Sequence, residues 1–214
     1  MIKIFYVDEL NKIPAERLAA MLKGFPVSIQ AELSKYKHRN SLIQSIVGKK
    51  LLEHSLNTYG YPNSKLQKIK RTKYNKPYIE KCFHFNISHS ENSVIIATSD
   101  LLNVGIDIEE LRDIDIDIFK DYLNHEEYSE ILSSKSKVYA FFNLWTKKES
   151  ILKASGEGLN IPLKEVKITH EKAILTDKIW HIKEIPVSEK SIAHLATCTL
   201  LTDKEISIER LRFS

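Results

Sequence analysis

The sequence predicts an α+β fold of two similar lobes, about 100 residues each, packed around a pseudo-twofold axis. Two observations carry this expectation. The same order of elements, strand then helices then extended pieces, runs twice along the chain. A local echo accompanies it: KLLEHSLNTYGYPNSKLQKIKRT and KESILKASGEGLNIPLKEVKITH both run helix, glycine turn, proline, leucine, basic strand. No Gly/Ser-rich or Pro-rich linker and no low-complexity tract separates the halves, so the lobes are drawn as residues 1–102 and 103–214. Binding sites favour the crevice between lobes so related.

Taken in order, IKIFYV reads as a strand and is followed by helical stretches, the main one from about Ser41 to Tyr59, where Gly60 stops it. SKLQKIKRTKYNKPYIE is basic and extended, and Pro77 holds Lys76 out of the helical region. FHFNIS and SVIIATSD form a strand pair, with SHSENS as the hairpin tip that carries His89. The second half opens on the strand NVGIDIE. Helices follow over about Ile116–Ser133 and Lys137–Ala154, the latter ending in the SGEGL turn. LKEVKITHE, WHIKEIP and IAHLATCTL are extended.

The 214 residues leave room for an ample core, and the net charge of +4 permits an anionic ligand without arguing for nucleic acid. Two cysteines, Cys82 and Cys198, exclude a disulfide framework and a cysteine-rich zinc site. The N-terminal MIKIFYVDELNKIPAERL lacks a signal-peptide pattern, and no apolar run approaches the roughly 20 residues of a membrane span. A cytoplasmic, soluble protein with no membrane partner is expected.

The informative stretch is NVGIDIEE. As a strand it turns Val104, Ile106 and Ile108 to one side and Gly105, Asp107 and Glu109 to the other. Two carboxylates roughly 6–7 Å apart repel unless a cation or strong donors stand near. Gly105, on the same face, leaves room for another group to approach. A second stretch, YAFFNLWTKKESILKASGEGL, is a tightly docked helix with Glu149 and Lys153 four residues apart on one side. If that helix lies beside the strand, Asp107, Glu109 and Glu149 converge. Three carboxylates with no Cys/His set suit Mg²⁺, and Lys153 would offset phosphate charge, which reads as metal-assisted phosphoryl transfer.

GIDIE at 105–109, WTKKESILK at 145–153 and FNISHS at 85–90 resemble the 4′-phosphopantetheinyl transferases, in the larger, pseudo-dimeric surfactin-synthetase-activating (Sfp-type) class. The similarity runs from about Arg39 to Val166. The resemblance implies the corresponding two-lobed fold in a monomer. It also implies an enzyme that moves the 4′-phosphopantetheine arm of coenzyme A onto a serine of an apo acyl or peptidyl carrier protein, with Mg²⁺, releasing adenosine 3′,5′-bisphosphate. It implies Asp107, Glu109 and Glu149 as metal ligands and Glu149 as base for the serine hydroxyl, directly or through a water. Lys153 would contact the pyrophosphate. Lys76, Pro77 and Tyr78 would lie beside the nucleotide, and Asn86, Ser88 and His89 would line the same pocket. Glu127, in NHEEY, matches a glutamate of the family near the catalytic lysine.

Two departures from the family pattern stand out. Asn75 replaces the usual glycine before Lys-Pro, and asparagine tolerates positive φ. Glu32 and Gln44 fall near positions where the family holds a 3′-phosphate with basic residues, the nearest cluster being Lys35, Lys37, His38 and Arg39. The segment Leu111–Lys137, with Ile114, Ile116, Ile118, Phe119, Tyr122 and Leu123, is the expected carrier-docking face. The competing readings are a Mg²⁺-dependent nuclease, which would put E-x-K on one strand beside a strongly basic surface, and a non-catalytic carrier-binding module.

Overall fold

A computed structural model describes residues 1–213, in full apart from the side chain of Leu159. Ser214, the last residue of the expected second lobe, lies outside the described residues. The first half contains β1 (Ile2–Val7), α1 (Ala15–Lys23), α2 (Val27–Leu33), α3 (Arg39–Thr58), β2 (Ile69–Arg71), β3 (Pro77–Ile79), β4 (His84–Ser90) and β5 (Ser93–Ser99). The second runs β6 (Val104–Glu110), α4 (His125–Ser133), α5 (Lys137–Ser155), β7 (Lys167–Thr169), β8 (Lys172–Leu175), β9 (Lys178–Glu184), β10 (Ser191–Thr197) and β11 (Ile206–Arg210). Between β6 and α4, where a helix was expected, Ile116–Tyr122 forms a 3₁₀ turn. The 3₁₀ turn closes on Asp115, whose side chain accepts from the Asp117 amide, and α4 starts on an Asn124–Glu127 capping box.

Two mixed layers result. One sheet has the order β11-β1-β5-β4 and the other β6-β10-β9-β8-β7, with β2-β3 as a separate hairpin. In each half the opening strand pairs antiparallel with the last strand of its set, β1 with β5 and β6 with β10. The sheets face one another through Ile2, Ile4, Ile95, Ala97, Val104, Ile106, Ile108, Ala193 and Leu195. On the outer side of the first sheet, Phe5, Val7, Val94 and Ile96 pack against Val47, Leu51 and Leu52 of α3. On the outer side of the second, Ala196 and Ile182 pack against Ile151, Leu152 and Ala154 of α5. The order is therefore helices, sheet, sheet, helices. Covering both faces explains why β5 is buried along its whole length and reads as an uninterrupted apolar run.

Two expectations need correction. β4 continues to Ser90 and β5 begins at Ser93, so the turn is Glu91–Asn92 and His89 lies within the strand. Ser88 and Ser90 extend the strand because both hydroxyls bond residues of β6. The final strand, β11, was not anticipated. It crosses back to pair parallel with β1, Ile2 opposite Ile206 and Ile4 opposite Ile208. The second half thus closes the first half's sheet.

Candidate active site

The site forms where α5 lies directly on β6. Gly105 makes this possible: a Cβ there would sit 2.0 Å from Ser150 O and 2.3 Å from Ala154 N. The group that approaches the glycine is the helix backbone itself. Glu149 and Lys153, on the turns flanking that contact, are thereby carried to the outward face of β6, where Asp107 and Glu109 stand.

Between the two halves of the chain, alternate residues of β4 bond β6 in step. Asn86 Oδ1 accepts from the Ile106 amide at 2.9 Å. Ser88 Oγ donates to Asp107 Oδ1 at 2.7 Å, and Ser90 Oγ donates to Glu109 Oε2 at 2.7 Å. Lys153 does not form the within-helix pair with Glu149. Its ammonium reaches Asp107 Oδ1 at 2.5 Å and Ser88 Oγ at 2.9 Å. Asp107 is buried, and its Oδ2 has no hydrogen-bond partner among the described residues. Burial raises the Asp107 pKa, the Lys153 charge and the Lys153 and Ser88 hydrogen bonds pull it down, and Glu109 adds to the rise. Burial likewise raises that of Glu149; Lys153 opposes the rise and the charges of Asp107 and Glu109 reinforce it. The three acids are thus close enough to feel one another. Among the described residues, no three His, Cys, Asp or Glu side chains are already gathered around one point.

A cavity of about 590 Å³ opens beside them, lined by Tyr74, Lys76, Pro77, Asn86, Glu149 and Lys153 among others. Asn75 adopts φ 67°, the left-handed conformation that the turn between β2 and β3 requires. The Lys76 ammonium donates to three backbone carbonyls, Lys153 O at 2.6 Å and Val104 O and Ala154 O at 3.3 Å. It ties the β2–β3 hairpin to the C-terminal end of α5, where the helix dipole favours a cation. Burial acts the other way and lowers its pKa to about 8. Tyr78 is exposed on β3, and His89 is exposed on β4, on the opposite face to Ser88. Partial burial, then the Lys153 charge, lower the His89 pKa.

Lys148, His194, Thr146 and Arg112, which the sequence did not single out, also shape the site. Lys148, fully buried, bonds Glu127 at 2.6 Å and Leu163 O at 3.2 Å, fixing α5 to α4 and to the segment after α5. Burial lowers its pKa and the Glu127 hydrogen bond opposes that. Glu127 therefore serves a buried ion pair rather than an exposed helix surface. His194 lies opposite Asp107 in the β6–β10 ladder, with Nδ1 2.8 Å from Thr146 Oγ1 of α5. Burial, aided by Lys147, lowers its pKa to about 3 and keeps it neutral. Arg112 bonds Glu109 Oε2 at 2.9 Å.

Acids and Lys153 of the second half meet Lys76 and the β4 serines of the first beside a cavity, an arrangement that suits a phosphoryl-transfer type of enzyme site. The chain belongs to the 4′-phosphopantetheinyl transferase family. Residues 103–203 match the 4′-phosphopantetheinyl transferase superfamily, and residues 14–101 match the 4′-phosphopantetheinyl transferase N-terminal family. The chain is 32% identical over 166 residues to the 4′-phosphopantetheinyl transferase gsp of Aneurinibacillus migulanus, covering 76% of this chain and 69% of that one. It is 33% identical over 172 residues to psf-1 of Bacillus pumilus (75% and 72% covered). With Sfp of Bacillus subtilis strain 168 it shares 32% identity over 133 residues (60% and 59% covered). The protein is a transferase of this kind, carrying the 4′-phosphopantetheine moiety of coenzyme A to a serine of an apo carrier protein.

Proposed function

We propose that Asp107, Glu109 and Glu149 hold a Mg²⁺ ion and that the adjoining cavity receives coenzyme A. The single observation that supports this best is Asp107 Oδ2, buried and without a partner. A buried lone carboxylate oxygen costs free energy unless a cation or donor reaches it. The donor set is all oxygen, which suits a hard cation that keeps open positions for water and phosphate. When bound, the ion would offset negative charge on the transferring phosphate. Lys76, Pro77, Tyr78, Asn86, Ser88 and His89 are assigned to the nucleotide side of the site. Of these, Lys76, Pro77 and Asn86 line the cavity.

In the proposed reaction, Glu149, ionised, takes the proton of the carrier serine, directly or through a water. The serine oxygen forms a bond to the β-phosphorus, the bond from that phosphorus to the bridging oxygen breaks, and adenosine 3′,5′-bisphosphate leaves. Lys153 stabilises the charge on the diphosphate.

The partner is an apo acyl or peptidyl carrier protein, docking on the 3₁₀ turn Ile116–Tyr122. The exposed apolar side chains there are Ile118 (70% exposed) and Tyr122 (52%). Ile116 and Leu123 are core, and Phe119 packs on Phe141 and Trp145. The docking face is thus narrower than expected. With both lobes in one chain, residues 1–102 and 103–214, the enzyme acts as a monomer. The site of action proposed is the cytoplasm; no helix among the described residues is long and apolar enough to cross a membrane.

The test is to incubate the protein with coenzyme A, Mg²⁺ and an apo carrier domain and weigh the carrier. A phosphopantetheine mass gain that EDTA abolishes is expected. A gain unaffected by EDTA would remove the metal from the mechanism.

A further inference from the structure

Both strand carboxylates are held in the same way. Asp107 uses Oδ1 for a β4 serine and a cation, Ser88 and Lys153. Glu109 uses Oε2 for the next serine on that face of β4 and a second cation, Ser90 and Arg112, at 2.7 and 2.9 Å. In each case the other oxygen is left over: Asp107 Oδ2 has no partner, and no hydrogen bond among the described residues ends on Glu109 Oε1. Serines two apart on one strand meet acids two apart on the facing strand, so the spacing of the pair is set by the backbone.

The Glu109 arrangement is itself supported. Ser90 is buried, and its Oγ accepts from the Glu110 amide at 3.1 Å, which directs its own proton to Glu109. The same Arg112 nitrogen also donates to Glu110 O at 3.1 Å, while the guanidinium lies 5.0 Å from the centre of the buried Phe142 ring. An exposed arginine–glutamate pair is ordinarily worth little. This one is anchored at three points, and Glu109 is only 20% exposed.

We infer that Ser90 and Arg112 are positioning residues for the metal centre, fixing Glu109 so that Oε1 alone is presented to the ion. The inference rests on the metal reading given above. It makes a prediction opposite in sign to simple electrostatics. Removing a positive charge beside a cation site should tighten metal binding by Coulomb's law. Removing a group that orients a ligand should weaken it, typically by about 10–100-fold.

The experiment is calorimetric titration of Mg²⁺ alone into the wild type and into Arg112→Met, Ser90→Ala and Arg112→Lys, with melting temperatures taken in EDTA. Arg112→Met and Ser90→Ala should each raise the Mg²⁺ Kd about tenfold or more. Arg112→Lys, which keeps the charge and a donor, should lose less. At saturating Mg²⁺ the KM for coenzyme A should not change. A Kd unchanged or lowered in both Arg112→Met and Ser90→Ala overturns the positioning role. So does a weakened Kd that merely tracks a fall in melting temperature in EDTA. A wild type that binds no Mg²⁺ overturns the metal reading and this inference with it, and the wild-type arm alone reports that case.

Discussion

Gly105→Ala tests the contact on which the site depends. Its backbone is ordinary strand, so the effect of a methyl group there is steric rather than conformational. The added Cβ would lie 2.0 Å from Ser150 O, 2.3 Å from Ala154 N and 2.9 Å from Ala154 Cα, all backbone atoms that no rotamer change can move. An ordinary contact needs 3.4 Å, so α5 and β6 must separate by about 1.4 Å. Overpacking of this kind costs about 1–3 kcal/mol. For a chain of this length that is roughly 2–12 °C in Tm. The same displacement carries Glu149 and Lys153 away from Asp107, and a misplacement of about 1 Å costs on the order of 10²-fold in rate. An internal control exists in α3. Gly48 also packs on a sheet, but its Cβ would meet Ile87 Cγ2 at 3.6 Å and Val94 Cγ1 at 3.8 Å, both ordinary contacts. Gly48→Ala should therefore be neutral or stabilising by up to about 1 kcal/mol, with full activity. Thermal melts and carrier-modification rates on both variants decide the matter. If Gly105→Ala melts and works like the wild type, the close approach of α5 does not hold the site.

Glu149→Gln and Asp107→Asn should abolish transfer with the fold retained, read by carrier mass and circular dichroism. The native pKa of each acid lies above its ordinary 4.5 or 3.8, so the metal-free fold keeps protons that the unfolded chain has shed. Stability in EDTA should fall as pH rises through the interval above those values, and Glu149→Gln should flatten the fall; an unchanged slope would count against the raised pKa. Phe119→Ala should lower Tm by removing part of an aromatic cluster, whereas Tyr122→Ala should raise the carrier KM several-fold at unchanged Tm and unchanged coenzyme A KM; a Tm loss in both would place the docking face elsewhere. Lys148→Met should cost about 3–5 kcal/mol by stranding Glu127, and the double variant Lys148→Met/Glu127→Leu should recover much of it; equal losses would mean the two do not act as a pair.

The parts of the site legible in the sequence were those with short-range grammar. D-x-E flanked by isoleucines, a glycine on the acid face and E-x-x-x-K on an amphipathic helix all announce themselves within a few residues. The parts that were not legible depend on partners far along the chain. Ser88 and Ser90 bond residues about twenty positions away, across the β4–β5 turn and the crossing into β6. Among so many turn-forming residues, SHSENS reads as a longer turn than it is. Lys148 sits in a run of charged residues and reads as surface, yet Glu127, 21 positions earlier, makes its full burial tolerable. β11 follows the polar segment TDKE, and it is partly buried only at its ends, Ile206 and Arg210, and exposed between them, so its alternation carries little contrast. What fixes it as a strand is β1, about two hundred residues away.

The two halves share a plan but divide the work, and the division is visible on matching strands. β1 turns Ile2, Ile4 and Tyr6 toward the other sheet, as β6 does with Val104, Ile106 and Ile108. On the outward face, β1 places Phe5 and Val7 beneath α3, in an apolar core. β6 places Asp107 and Glu109 at the corresponding edge of α5. The buried ionisable side chains follow the same split: Asp107, Lys148 and His194 all belong to the second half, whereas the buried polar side chains of the first half, such as Gln44, Ser55, Asn86, Ser88, Ser90 and Thr98, are amides and hydroxyls. Each such group lowers stability unless it is paired, and Asp107 Oδ2 is not. The first half supplies packing and the β4 ladder that orients the acids, while the second accepts the cost of burying them. A site with its acids in one half and the serines that bond them in the other cannot form from either half alone.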